Sequence, residues 1–204
     1  ALGVMKHGMI IGSDWQAYTC KNKLSEQRDR ILQCLEEILR EADTEHNPLH
    51  MIERSVGIAA LCMRRLLECR LVTDRFRDSQ LEVHCVRRKA GSPWRETYIS
   101  KTAGEIFQNY DLTDRVRNSG SPKSIANKIL HARVVAVIVD SHYLPDGLLI
   151  ASDTQRKEHI FHFTPMEFSD LLKKFLDDFV RRQIDGFAAD DSNACTDKVF
   201  AKRD

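Results

Sequence analysis

Hydrophobic residues recur at intervals of three and four over two stretches in the first third of the chain. The first stretch begins at Leu24 and ends near Ala42, which predicts an amphipathic helix of about five turns. The second follows Asn47-Pro48, where an N-cap residue precedes the residue favoured at the first helical position. Its apolar stripe is wide: Ile52, Val56, Ala59, Ala60, Met63, Leu66 and Leu67. A short connection between the two predicts an antiparallel helical hairpin.

After the hairpin the period changes from helical to strand-like. Residues 81–85 alternate between apolar and polar, which predicts a strand with one buried face. Further strands are predicted at 134–139, at 148–151 after a Pro-Gly turn, and at 158–163. Three strands joined in sequence by short turns form a small, mostly antiparallel β-meander.

The segment between the first strand and the meander has a weaker pattern. Thr102 with Glu105 matches a capping box and predicts a short helix that ends near Tyr110. Residues 118–122 read Asn-Ser-Gly-Ser-Pro, which predicts a loop that closes with a new helix start.

The strongest boundary signal lies at Thr164-Pro-Met-Glu167, where an N-cap, a proline and a capping-box glutamate coincide. The helix that follows is amphipathic, and we expect Phe168, Leu172, Phe175 and Phe179 to be buried against the meander. The fold class is therefore α+β: an N-terminal helical hairpin, a small sheet and a C-terminal amphipathic helix. Residues 15–186 form the single predicted domain, between an arm at 1–14 and a flexible polar tail at 187–204.

Composition narrows the class of protein without naming a function. The 204 residues are 42% hydrophobic and 30% charged, as in soluble globular proteins, and 31 basic residues nearly balance 30 acidic ones. Any polyanion would therefore need a local basic patch. The apolar runs are far shorter than the roughly 20 residues that a bilayer requires. Six cysteines without a CxxC pair predict free thiols in a reducing cytoplasm, and no cofactor is indicated.

Candidate chemistry is concentrated in two places. In the helix predicted after Ser121, Asn127 and His131 share one side with Lys128, while the opposite side is apolar. Amphipathicity alone explains this arrangement, and a reactive pair is the alternative. Asp153 and Arg156 form a polar cluster in the second meander turn, where a solvated turn is the alternative. The histidine spacings place no pair on one face, so no metal site is predicted.

The pattern Asn127-x-x-x-His131, in a short helix after a long helical hairpin, resembles the motif helix of HEPN domains. The resemblance implies metal-independent cleavage of RNA, with His131 as general acid-base and Asn127 positioning the substrate. Ala126 occupies the position of the family's arginine, which would stabilise the charge that develops on the phosphate. The cation would then come from elsewhere, and Arg64 and Arg65 are the candidates.

Two functions of different class follow. The first is a cytosolic, non-enzymatic binding or interaction protein that forms a homo-oligomer through the wide apolar face of its second helix. In that case Asn127 and His131 are structural or surface residues. The alternative is a HEPN-like ribonuclease or nucleotide-binding protein that uses His131.

Overall fold

The computed structural model describes residues 13–39, 47–92, 108–139, 145–180, 182–186 and 196–200. Five α-helices occur there: α1 (Ser13–Leu39), α2 (Pro48–Glu68), α3 (Asp74–Arg77), α4 (Pro122–Leu130) and α5 (Pro165–Asp177). Helices α1 and α2 pack together, which confirms the predicted hairpin. Helix α1 begins well before Leu24, inside the predicted arm. None of the described helices is long and apolar enough to cross a membrane.

A five-stranded antiparallel sheet forms the second layer. Its strands are β1 (Leu81–Arg88), β2 (Tyr110–Gly120), β3 (Ala132–Val139), β4 (Pro145–Ser152) and β5 (His159–Phe163), in the order β2-β1-β5-β4-β3. Strands β3, β4 and β5 are the predicted meander, and β1 pairs with β5. The α+β class is thus confirmed.

Strand β2 differs from the prediction. Only residues 108 and 109 of the helix expected at 102–110 are described as helical, and residues 93–107 lie outside the described part. Tyr110 begins a strand that runs through the predicted loop to Gly120. The strand lies at an edge of the sheet, and most of its side chains are partly or fully exposed. It therefore lacks the apolar alternation by which strands are recognised.

The predicted polar tail also contains regular structure. Strand β7 (Thr196–Phe200) pairs with β6 (Arg182–Gly186) in a separate two-stranded ladder. Residues 187–195 and 201–204 lie outside the described part of the chain.

Helix α5 begins as the sequence predicts. The Thr164 hydroxyl accepts a hydrogen bond from the Glu167 amide at 3.2 Å, and the Glu167 carboxylate accepts one from the Thr164 amide at 2.9 Å. Phe168, Leu172 and Phe175 are buried, as expected. The prediction for Phe179 was wrong, because α5 ends at Asp177 and the Phe179 side chain is 62% exposed.

The apolar face of α2 is covered within the chain. Val56, Ala59, Ala60 and Met63 are at most 1% exposed, because α1 and α4 both contact α2. Only Leu61 in this stretch is largely exposed. Most of the apolar surface that motivated self-association through α2 is therefore covered, and self-association itself stays a prediction.

The sheet is buried on both faces. Its helix-facing side joins the main core, while Val86, Leu149, Ala151 and Ile160 form a second apolar cluster on the opposite side. Burial on both faces explains why β4 reads as a continuous apolar run, whereas most residues of β3 are only partly buried. The cysteines of the described residues are all free thiols, as predicted.

Candidate functional site

Helix α4 holds Asn127 and His131 in its last turn. The Ser121 hydroxyl accepts a hydrogen bond from the Ser124 amide at 3.2 Å, and Pro122 follows as the first helical residue. His131 caps the other end, where its amide donates to the Asn127 carbonyl at 2.9 Å. The apolar side of α4, including Ala126, is buried in the core. Asn127 is half-buried and His131 is exposed, so the predicted amphipathic arrangement is confirmed.

The polar side of α4 borders an open cleft of about 600 Å³, which we call the α4 cleft. It lies where α4 leads into β3 and where β4 leaves the sheet. Its polar lining residues are Asn127, Lys128, His131, Arg133, Ser152, Asp153 and Thr154. Asn127, His131 and Asp153, which the sequence identified separately, therefore meet in one place.

Arg64 of α2 contacts Asn127, which lines the cleft. Its guanidinium donates a hydrogen bond to the Asn127 side-chain oxygen, and its second terminal nitrogen pairs with Glu68. The Arg64 side chain is 23% exposed. A guanidinium from a neighbouring helix therefore lies beside Asn127, and Arg64 is one of the two arginines that the sequence proposed as the cation.

Arg65 does not reach the cleft. It is exposed on the side of α2 near α1, close to Cys20. Burial raises the pKa of the Cys20 thiol, and the charge of Arg65 partly opposes this effect. Of the two candidate arginines, only Arg64 belongs to the α4 cleft.

Asp153 and Arg156 form the predicted cluster, but Arg156 is not part of a solvated turn. The Asp153 carboxylate lies 2.9 Å from Nη2 of Arg156 and 3.2 Å from Nε of Arg133. Arg156 is 6% exposed, and its carbonyl accepts a hydrogen bond from the Tyr110 hydroxyl. The buried Arg156 therefore pairs with Asp153 on the protein side, while Asp153 and Arg133 line the cleft.

Positive charge is in excess around the α4 cleft. The cleft itself is lined by the cations Lys128 and Arg133 and by the carboxylate of Asp153. Next to it, Arg64 pairs with Glu68 and Arg156 pairs with Asp153, so these four cations and two carboxylates leave two formal positive charges before His131 is counted. Lys128 has no carboxylate partner among the described residues, and its ammonium lies 5.4 Å from the centre of the Phe161 ring. Such a set of donors suits an anionic ligand.

Metal binding has no support in the described part of the chain. No group of three or more His, Cys, Asp or Glu side chains in it could hold a metal ion.

A second polar cluster was missed by the sequence analysis. Nδ1 of His84, in β1, lies 3.0 Å from Oε1 of Glu167. Both residues line a cleft of about 450 Å³ between β1 and α5. The other Glu167 oxygen accepts from the Thr164 amide and from Arg115. Burial tends to raise the pKa of Glu167, but these two hydrogen bonds outweigh it and hold the pKa below its ordinary value. The capping-box pattern was the sequence signal, although it predicts only the contact with Thr164.

No protein-family model, curated protein or solved structure matches this chain. The likeness of α4 to the HEPN motif helix therefore stays a resemblance of sequence pattern.

Proposed function

We propose that the α4 cleft binds the phosphate of a nucleotide or of single-stranded RNA, and that this protein acts by binding. The contact between Arg64 and Asn127 carries the proposal, because it brings a cation from α2 to the polar side of α4. The guanidinium offers a planar fork of donors that matches phosphate oxygens.

The surroundings of Arg64 strengthen such a contact. Its side chain is mostly buried, so water screens its charge less than at an open surface. The Lys128 ammonium, which has no carboxylate partner in the described part of the chain, and the imidazole of His131 line the same cleft. Asp153, Ser152 and Thr154 supply acceptors in this cleft, which suits the hydroxyl groups of a ribose.

The contacts of Arg64 and the exposure of His131 favour binding over cleavage. Arg64 already shares its charge with Glu68, and His131 is an exposed helix cap. General acid-base help from one histidine supplies roughly 10²–10⁴-fold, whereas stabilisation of the developing charge is usually the larger contribution. That larger contribution needs donors held in a site from which water is excluded, and the α4 cleft is open.

Two arginines on one helix provide a matched test. Binding of ATP and of a 5′-phosphorylated oligoribonucleotide is measured by calorimetry and fluorescence anisotropy for the wild type, Arg64→Gln and Arg65→Gln. The Arg64→Gln variant should bind both probes about tenfold more weakly or worse, because it loses one charge-assisted hydrogen bond to the phosphate. Arg65→Gln should change affinity less than about twofold, because Arg65 lies away from the cleft. Raising the salt from about 50 to 200 mM should weaken binding of the wild type.

Equal effects of the two substitutions would contradict the proposal, and so would the absence of binding by either probe at about 1 mM. A third assay separates binding from cleavage. The protein is incubated with mixed single-stranded RNA in the presence of a chelator, alongside His131→Ala. Cleavage by the wild type and not by His131→Ala would replace the binding proposal with the ribonuclease alternative.

A further inference from the structure

The two edges of the five-stranded sheet differ in how they meet solvent. Strand β3 forms one edge and pairs only with β4 within the described part of the chain. Its sequence, Ala-Arg-Val-Val-Ala-Val-Ile-Val, contains one charge, Arg133. An apolar edge strand with unpaired backbone groups is a template for pairing with another strand.

Strand β2 forms the other edge. Some of its side chains accept hydrogen bonds from its own backbone amides. The Asp111 carboxylate accepts a hydrogen bond from the Thr113 amide at 3.1 Å, and the Asn118 side chain accepts one from the Ser119 amide at 2.7 Å. Charged residues also follow along the strand, at Asp114, Arg115 and Arg117. These features protect an edge from intermolecular pairing. No side chain accepts from a β3 amide among the described residues.

We propose that β3 pairs antiparallel with β3 of a second copy, about a two-fold axis at Ala136, to form a continuous ten-stranded sheet. In this register Val135 lies opposite Val137, and Val134 lies opposite Ile138. The strand is therefore complementary to itself, with aliphatic residues facing aliphatic residues on both sides of the sheet. A closed two-fold contact of this kind uses the same surface on both subunits.

Charge also permits this pairing. Arg133, which lies at a bulge of the β3–β4 ladder and pairs with Asp153, comes nearest to Val139 of the opposite copy, so no charged residue of β3 faces a like charge. The two copies of Arg133 would stand six positions apart along the ladder, about 20 Å, which exceeds the Debye length at physiological salt. Val135 and Val137 already pack at the margin of the main core, so the second copy would extend an existing hydrophobic layer.

The proposed surface differs from the hairpin that the sequence analysis favoured. Most apolar residues of α2 are covered within the chain, whereas Leu49 and Leu61 are largely exposed. The β3 pairing also does not depend on phosphate binding at the α4 cleft.

Opposite charges introduced at one position test the register. Val139 is 42% exposed, so substitution there should leave the fold intact. Sedimentation velocity from about 1 to 100 μM should show a reversible dimer of the wild type. Val139→Glu should tighten the dimer about fivefold, because two new ion pairs form with Arg133 of the opposite copy. Val139→Lys should weaken it by a similar factor, because two like-charge pairs form instead.

Three results would overturn the proposal. A wild type that is only monomeric at about 100 μM has no such dimer. A dimer that responds equally to Val139→Glu and Val139→Lys does not have this register. A dimer whose affinity is unchanged by Val139→Glu and Val139→Lys, but which is lost in Leu61→Glu, associates through α2. Circular dichroism of each variant confirms that it is folded, and Thr113→Lys on the protected β2 edge should leave the dimer unchanged.

Discussion

Helices α4 and α5 begin alike and use their polar side chains differently. Each starts with a capping hydroxyl followed by proline, and each buries an apolar stripe in the same core. In α5 the polar residue of the first turn, Glu167, is bound by groups of the protein itself. At the C-terminal end of α4, Asn127 and the capping residue His131 face an open cleft; Arg64 binds the Asn127 side-chain oxygen, and His131 is exposed.

We therefore expect the polar side chains of α5 to contribute to stability and those of α4 to contribute to ligand binding. Polar groups that have all their partners within the chain fix the position of a helix, whereas groups that face a cleft are available to a ligand. Substitutions in α5 should therefore act mainly on the free energy of unfolding. Substitutions on the polar side of α4 should act mainly on affinity.

The largest effect is expected for Phe175→Ala in α5. The Phe175 side chain is fully buried, and its ring meets that of Phe76 edge-on with centroids 4.9 Å apart. Removing it should lower the free energy of unfolding by about 3–5 kcal/mol, because a cavity replaces well-packed atoms. Urea denaturation measures the change.

Phe179→Ala is the matched control, because Phe179 is 62% exposed; the Lys21 ammonium lies 3.8 Å from its ring centre. It should lower stability by no more than about 1 kcal/mol. A loss below about 1 kcal/mol for Phe175→Ala would mean that α5 is not held by its aromatic stripe.

The sequence predicted features that depend on nearby residues. The caps at Asn47, Ser121 and Thr164 formed as expected, since each needs only a hydroxyl or amide beside the first helical turn. Strand β2 was missed because the exposure of an edge strand removes its pattern. Phe179 was misplaced because helical spacing continues the apolar stripe past Asp177, where the helix itself ends.

The site could be predicted only in part, because it is tertiary. Asn127 and Arg64 are 63 positions apart, and adjacent residues of α2 point about 100° apart, so Arg64 and Arg65 face different neighbours. The sequence could propose both arginines, but the choice required the side of α2 on which α4 packs. The contact of His84 with Glu167 depends on how α5 lies against β1, and no local pattern encodes it.

A smaller effect should distinguish the two helix caps. Thr164→Ala removes one half of a reciprocal capping box, while Ser121→Ala removes a single hydrogen bond to the Ser124 amide. Both should lower the free energy of unfolding by about 0.5–2 kcal/mol, with the larger loss for Thr164→Ala. Thermal and urea denaturation of the two variants gives the comparison. The reverse order would show that the Glu167 network adds nothing to the cap.

The smallest effect concerns the response of α5 to acid. Because the pKa of Glu167 lies below its ordinary value in the folded state, the charged carboxylate stabilises the fold at pH values above about 4.3, the ordinary pKa of glutamate. That contribution is lost as the pH falls through 4.3 and then through the lower folded-state pKa. Glu167→Gln keeps a side-chain oxygen for the Thr164 amide but loses the charge that faces Arg115.

The variant should therefore be less stable than the wild type at pH 7, by less than about 1 kcal/mol because the Glu167 carboxylate is partly exposed. The difference should shrink as the pH falls through about 4.3 and disappear below the lowered folded-state pKa, where Glu167 is protonated in both states. Glu53→Gln, on the exposed surface of α2, is the control for net charge. It removes one negative charge but leaves the contacts of Glu167 with Thr164, Arg115 and His84 intact. Urea denaturation at several pH values measures both variants. A difference between Glu167→Gln and the wild type that stays constant from pH 7 to about pH 3 would show that Glu167 acts through hydrogen bonding alone and that its charge is not part of what holds α5 in place.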